Sequence, residues 1–155
     1  MKSYFDLLDI EETYQIDRDL LDERYFTSQA KYHPDKAKTT QEKSYFTQIS
    51  GMLNTAYEYL KDDFLRASHL LELHGINISS DKDAPKVPLE ILEEILEMQE
   101  ALEAHRQAEE ISRIAKAKSE KIITELSFLF SCKDYAKAAV KAMQLKYLKN
   151  ILEKV

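Results

Sequence analysis

Four histidines and one cysteine are the side chains of this chain best placed to do chemistry near neutral pH. Their spacing gives them little to work with. His69 and His74 stand five residues apart, which does not bring two rings onto one helix face, no HExxH occurs, and Cys132 has no cysteine to pair with. His33 and His105 have only scattered carboxylates for company. An enzyme is therefore not expected, and neither is a resident metal or cofactor. One group does stand out, the tripeptide His33-Pro34-Asp35 in AKYHPDKAK. Nothing about folding requires a His and an Asp around a Pro between two helices. The plainer alternative is a polar connection in which Pro34 ends one helix and Asp35 tidies the turn.

The elements that must hold this loop are helical. Two Gly and three Pro leave 5 of 155 positions to the usual breakers of regular structure, against roughly 12% on average. Hairpin turns and Gly-rich phosphate loops cannot be built from Gly51 and Gly75. An all-α protein follows. Asp17 can cap a helix running to about Tyr32, with Leu21, Tyr25, Ser28 and Tyr32 on one side, and it stops at His33-Pro34. A second helix, about 41 to 60, puts Tyr45, Ile49, Met52, Leu53, Ala56 and Leu60 on one face. A third, marked by Phe64, Ala67, Leu70 and Leu71, ends near Gly75, after Asp62 and Asp63 that can cap it.

Residues 75–87 hold Gly75, Pro85 and a Ser-Ser-Asp cluster and read as a linker, followed by Pro88. Three helices then follow, at about 88–104, 107–130 and 133–153. The first carries six Glu and no Lys or Arg, while 133–154 has six Lys against Asp134 and Glu153. Charge is expected to set how these helices pair, with apolar packing holding them. Overall the net charge of −6 argues against a general nucleic-acid binder. No apolar run approaches the ~20 residues that span a bilayer, so no membrane role is expected.

Taken together, YFDLL near the N-terminus, a helix ending in KYHPDK, a helix containing NTAYEYL, and LKDDFLRASHLLELHG resemble a J-domain, the module by which co-chaperones act on DnaK-type ATPase chaperones. Within that family, DDFLRASHLLELHGI, the acidic LEEILEMQEALEA and the terminal QLKYLKNILE resemble the HscB co-chaperones of iron–sulfur cluster assembly. The resemblance implies an N-terminal J-domain (1–74), a linker (75–87) and a C-terminal three-helix bundle (88–155). It implies that His33, Pro34 and Asp35 dock on an HscA/DnaK-type chaperone and bias it toward ATP hydrolysis. In that role Pro34 fixes φ, Asp35 offers a carboxylate to a cationic partner residue, and His33 supplies a directional polar ring. Lys31, Tyr32, Lys36 and Arg24 are expected to assist, with Lys38 and Lys43 nearby. Asp19, Asp22 and Glu23 depart from the basic helix of many J-domains, which favours a dedicated chaperone.

The C-terminal bundle is then expected to bind the scaffold protein IscU through Leu92, Leu96, Glu97 and Glu100, with Lys146 and Tyr147 contributing. Glu93 departs from the family, which has an apolar residue there. Leu92 and Leu96, at i and i+4, could equally be bundle core. An alternative function is a J-domain co-chaperone or helical adaptor with a different client. One Cys suits a reducing compartment, and the acidic N-terminus, without an Arg-rich presequence, points to a bacterial cytoplasm rather than a mitochondrial matrix.

Overall fold

The computed structural model describes residues 2–80, 82 and 84–155. Asp81 and Asp83 of the expected linker lie outside the described residues. Seven α-helices and one 3₁₀ turn make up the regular structure, with no strand among the described residues. The helices are α1 (Tyr4–Leu7), α2 (Arg18–Lys31), α3 (Thr40–Lys61), α4 (Asp63–Leu73), α5 (Leu89–Glu103), α6 (Ala108–Ser131) and α7 (Tyr135–Glu153). The chain divides into two compact units, Met1–Leu70 and Leu71–Val155, and the division falls within α4.

In the first unit the caps expected at Asp17 and Asp62 form, and Ser3 and Thr39 add two more. Asp17 accepts from the Leu20 amide, Thr39 from Glu42, and Asp62 from Leu65. Ser3 and Asp6 close a reciprocal capping box around α1. Helices α2 and α3 form an antiparallel hairpin. Its rungs pair residues whose numbers sum to a near constant: Asp22 accepts from the Tyr57 hydroxyl (2.6 Å), Tyr25 donates to Asn54 (2.6 Å), Gln29 bonds Ser50 and Asn54, and the Tyr32 ring meets Phe46 edge-on at 5.6 Å. Beneath the hairpin lie Phe5, Leu8, Leu21, Leu53, Ala56 and Leu60, all buried.

A buried arginine ties the unit together. Arg66 donates to the Tyr14 carbonyl (2.5 Å), the Leu60 carbonyl (2.9 Å) and the Asp63 carboxylate (2.7 Å), and its guanidinium lies 4.5 Å from the centre of the Tyr14 ring. A planar five-donor group is what such a three-way junction needs, since a lysine could not reach three acceptors in one plane.

In the second unit, α6 and α7 pack along each other and α5 lies against both. Ala138, Ala139 and Ala142 on α7 are buried with Leu145, Leu148 and Ile151, and small residues allow close approach to Ile111, Ala115, Ile122 and Leu126 of α6. Two ion pairs join these helices. Glu94 of α5 pairs with Lys118 of α6 (2.6 Å), and Lys141 of α7 pairs with Glu125 of α6 (2.7 Å). The acidic and the basic helix thus each make an ion pair to the mixed-charge helix α6.

Candidate functional site

His33, Pro34 and Asp35 sit where the α2–α3 hairpin turns. Tyr32 ends α2, and Pro34–Lys36 form a single 3₁₀ turn closed by the Lys36 amide to the His33 carbonyl (2.9 Å) and the Ala37 amide to the Pro34 carbonyl (3.1 Å). His33 caps this turn with its ring: Nδ1 accepts from the Asp35 amide at 3.2 Å. A nitrogen that accepts cannot carry a proton, so this geometry places the neutral ring's hydrogen on Nε2. The Asp35 carboxylate lies 3.5 Å from Nδ1 and its side chain is 88% exposed. The loop therefore presents a nearly free carboxylate on a backbone that its own histidine holds in shape.

The neighbouring residues named from the sequence are partly gathered here. The Lys31 ammonium lies over the Tyr32 ring at 5.2 Å, and Tyr32 in turn packs edge-on to Tyr45 and Phe46. Lys36 is exposed beside the loop, and Arg24 is exposed nine residues before His33, roughly 14 Å back along α2 at 1.5 Å per residue. Asp22 is not a free surface charge. Its carboxylate is taken by Tyr57, and that hydrogen bond, followed by burial, pushes the Tyr57 phenol above its ordinary range.

The histidines that composition offers for catalysis are used in other ways. Buried His69 accepts the Tyr4 amide at Nε2 (3.1 Å) and stacks on the Tyr4 ring at 4.2 Å, while His74 stacks on Tyr135 at 4.1 Å. Among the described residues no three His, Cys, Asp or Glu side chains are grouped to hold a metal ion. No described helix is long and apolar enough to cross a membrane.

On α5 the apolar residues separate into two faces. Ile95 and Met98 are buried, whereas Leu89 (69%), Leu92 (38%) and Leu96 (53%) stay exposed in one stripe at i, i+3 and i+7. Leu92 and Leu96 are thus surface residues and not bundle core. Glu97 and Glu100 are exposed beside them, and Lys146 and Tyr147 are half-buried on α7. Leu89 extends the stripe by one turn, a placement that only the burial pattern reveals.

The chain resembles known proteins along its length. Residues 87–155 match the family model described as the HSCB C-terminal oligomerisation domain. Across 159 residues the chain is 33% identical to the human iron–sulfur cluster co-chaperone protein HscB, covering 99% of this chain and 67% of that protein. The chain belongs to the HscB family of co-chaperones. A co-chaperone protein HscB homolog of Neisseria meningitidis is 28% identical over 163 residues, covering 100% of this chain and 98% of that one. The crystal structure of human HscB superimposes with a TM-score of 0.90 at 30% identity, over 99% of this chain and 80% of that one. The HscB fold joins an N-terminal J-domain to a C-terminal helical domain, and this chain has both. Members of this family are co-chaperones and not enzymes, so its function implies a chaperone partner.

Proposed function

We propose that this chain binds an iron–sulfur scaffold protein of the IscU type, delivers it to an HscA/DnaK-type chaperone and stimulates that chaperone's ATP hydrolysis during cluster maturation. Residues 1–74 address the chaperone, 88–155 hold the client, and 75–87 join them. The observation that carries this reading is the His33-Pro34-Asp35 turn, whose carboxylate is 88% exposed on a backbone fixed by the His33 cap. A carboxylate held ready in this way can accept a charge-assisted, bidentate bond from an arginine without an entropic cost of ordering the loop. The chain makes and breaks no bond itself; it favours the partner conformation that hydrolyses ATP, to the extent that docking is tighter on that conformation.

The client surface is the Leu89–Leu92–Leu96 stripe with Glu97 and Glu100 on its rim, and Lys146 and Tyr147 complete it. Three exposed leucines in line form an apolar strip of the kind that marks a partner site, and the carboxylates beside it give orientation. Glu93, exposed near the stripe, narrows the apolar contact. The compartment of this reading is the bacterial cytoplasm, whose reducing poise suits exposed Cys132.

The test is single-turnover ATP hydrolysis by the DnaK-type chaperone of the same genome, with and without this chain and the scaffold. Each addition is expected to stimulate, and both together to exceed their separate effects. Asp35→Asn keeps the side-chain volume and removes the charge, so it is expected to abolish stimulation at unchanged helicity. Undiminished stimulation by that variant would overturn the docking role.

A further inference from the structure

The solvent side of α2 carries a phenylalanine that the fold does not use. Phe26 is 64% exposed, and its ring contact is with adjacent Tyr25, tilted at 5.4 Å. It has no freedom to turn inward. The residues before and after it on the α3-facing side are pinned by the rungs of the hairpin, Asp22 to Tyr57, Tyr25 to Asn54 and Gln29 to Ser50, so the rotation of α2 about its axis is set. Phe26 precedes His33 by seven residues, two helical turns and about 10 Å along the axis. A docking footprint of about 800 Å² per partner centred on the loop is roughly 30 Å across and takes in that distance.

We propose that Phe26 is an apolar anchor of the chaperone-docking surface, so that the partner's ATPase domain offers an uncharged recess to α2 where it meets this chain. The proposal rests on the docking role assigned to His33-Pro34-Asp35. Two observations favour the chaperone as occupant. Phe26 lies on the helix that delivers the loop, and the exposed residues of its flank toward the loop, Thr27 and Ala30, are uncharged, while exposed Asp19 and Glu23 stand on the same face on the side away from the loop. The cations of the region, Lys31, Lys36, Lys38 and Lys43, are grouped at the loop and leave the stretch from Phe26 to Ala30 to an apolar contact. Charge at the loop speeds encounter, while an aromatic side chain in a recess slows departure. Only the first of these is screened by salt.

The experiment titrates the full-length chain against the chaperone in single-turnover ATP hydrolysis at low and at high ionic strength. Wild type is compared with Phe26→Ala, Phe26→Leu and Asp35→Asn. Phe26→Ala is expected to raise the half-maximal concentration about tenfold at both salt levels with the maximum stimulation retained. Phe26→Leu is expected to recover most of the loss. Thermal midpoints of both Phe26 variants should match wild type, since the side chain is exposed. An unchanged half-maximal concentration in Phe26→Ala, with Asp35→Asn inactive, overturns the anchor and leaves the docking loop standing. Full activity in Asp35→Asn, or no stimulation by wild type, overturns both.

Discussion

At the scale of single residues, Tyr14 makes the N-terminal unit sensitive to alkali. Its hydroxyl donates to the Asp63 carbonyl at 2.9 Å and its ring lies against Arg66. Burial, the largest influence, pushes the phenol well above its ordinary value; the charges of Asp63 and Asp62 act the same way, and Arg66 and Arg18 oppose them. In the unfolded chain the phenol titrates near 10. Below that pH both states keep the proton and the contribution to stability is complete. Above it the unfolded chain releases the proton and the folded chain does not, so stability falls as pH climbs from 10 toward the raised native value. Between pH 9 and 11 the loss should be about 1 kcal/mol in urea unfolding, and Tyr14→Phe should remove it while costing about 1 kcal/mol at neutral pH for the lost hydrogen bond. An unaltered alkaline slope in that variant would assign the effect to other tyrosines. Neither this role nor that of Arg66 is visible in the sequence, because both depend on partners 49 and 52 residues away. His33 and Asp35 stood out in the sequence for the opposite reason: they are neighbours across one proline, and the cap that the His33 ring makes on the Asp35 amide is what the structure adds.

At the scale of elements, helix starts were legible and helix ends only in part. Asp17 and Asp62 are residue types whose side chains accept the orphan amides of a first turn, and they do so here, while Thr39 caps α3 in the same way without having been expected to. Gly75 ends α4 in the left-handed conformation (φ 83°) with the paired bonds of a Schellman motif, from its own amide to Glu72 and from Ile76 to Leu71. The same motif ends α1, α5 and α6 on Asp9, His105 and Lys133, at φ 53°, 56° and 59°. These three carry no glycine to announce them. Tertiary packing of the helices that follow overrides the ~1 kcal/mol cost of a side chain in that region. The converse holds at Gly51, a glycine in the interior of α3, where an added Cβ meets nothing within 4 Å. No turn or close approach requires it. Gly51→Ala is expected to stabilise the protein by about 0.5–1 kcal/mol in denaturant unfolding, with chaperone stimulation unchanged, since the position is exposed and away from the loop. A loss of stability would mean that the backbone of α3 bends there in a way alanine does not tolerate.

At the scale of the whole molecule, the docking turn and the leucine stripe belong to different compact units, His33-Pro34-Asp35 to Met1–Leu70 and Leu89-Leu92-Leu96 to Leu71–Val155. Sequence periodicity could not decide whether Leu92 and Leu96 faced in or out, because an apolar i, i+4 pair fits a core and a binding face equally well. The burial of Ile95 and Met98 on the other side of α5 decides it. Surface placement makes the two functions separable by mutation. Leu92→Ala with Leu96→Ala removes apolar surface that is already 38% and 53% exposed, so helicity and melting should be retained while scaffold affinity falls at least tenfold. That variant should stimulate the chaperone alone as well as wild type does, yet show no synergy with the scaffold. Asp35→Asn should do the reverse and keep scaffold affinity while losing stimulation. An equimolar mixture of the two variants then distinguishes delivery from independent action. If the chain works by holding client and chaperone at once, the raised effective concentration exists only when both surfaces are on one molecule, and the mixture should stay without synergy. If the mixture recovers the wild-type synergy, client and co-chaperone act on the chaperone separately, and the joining of two units in one chain has another purpose.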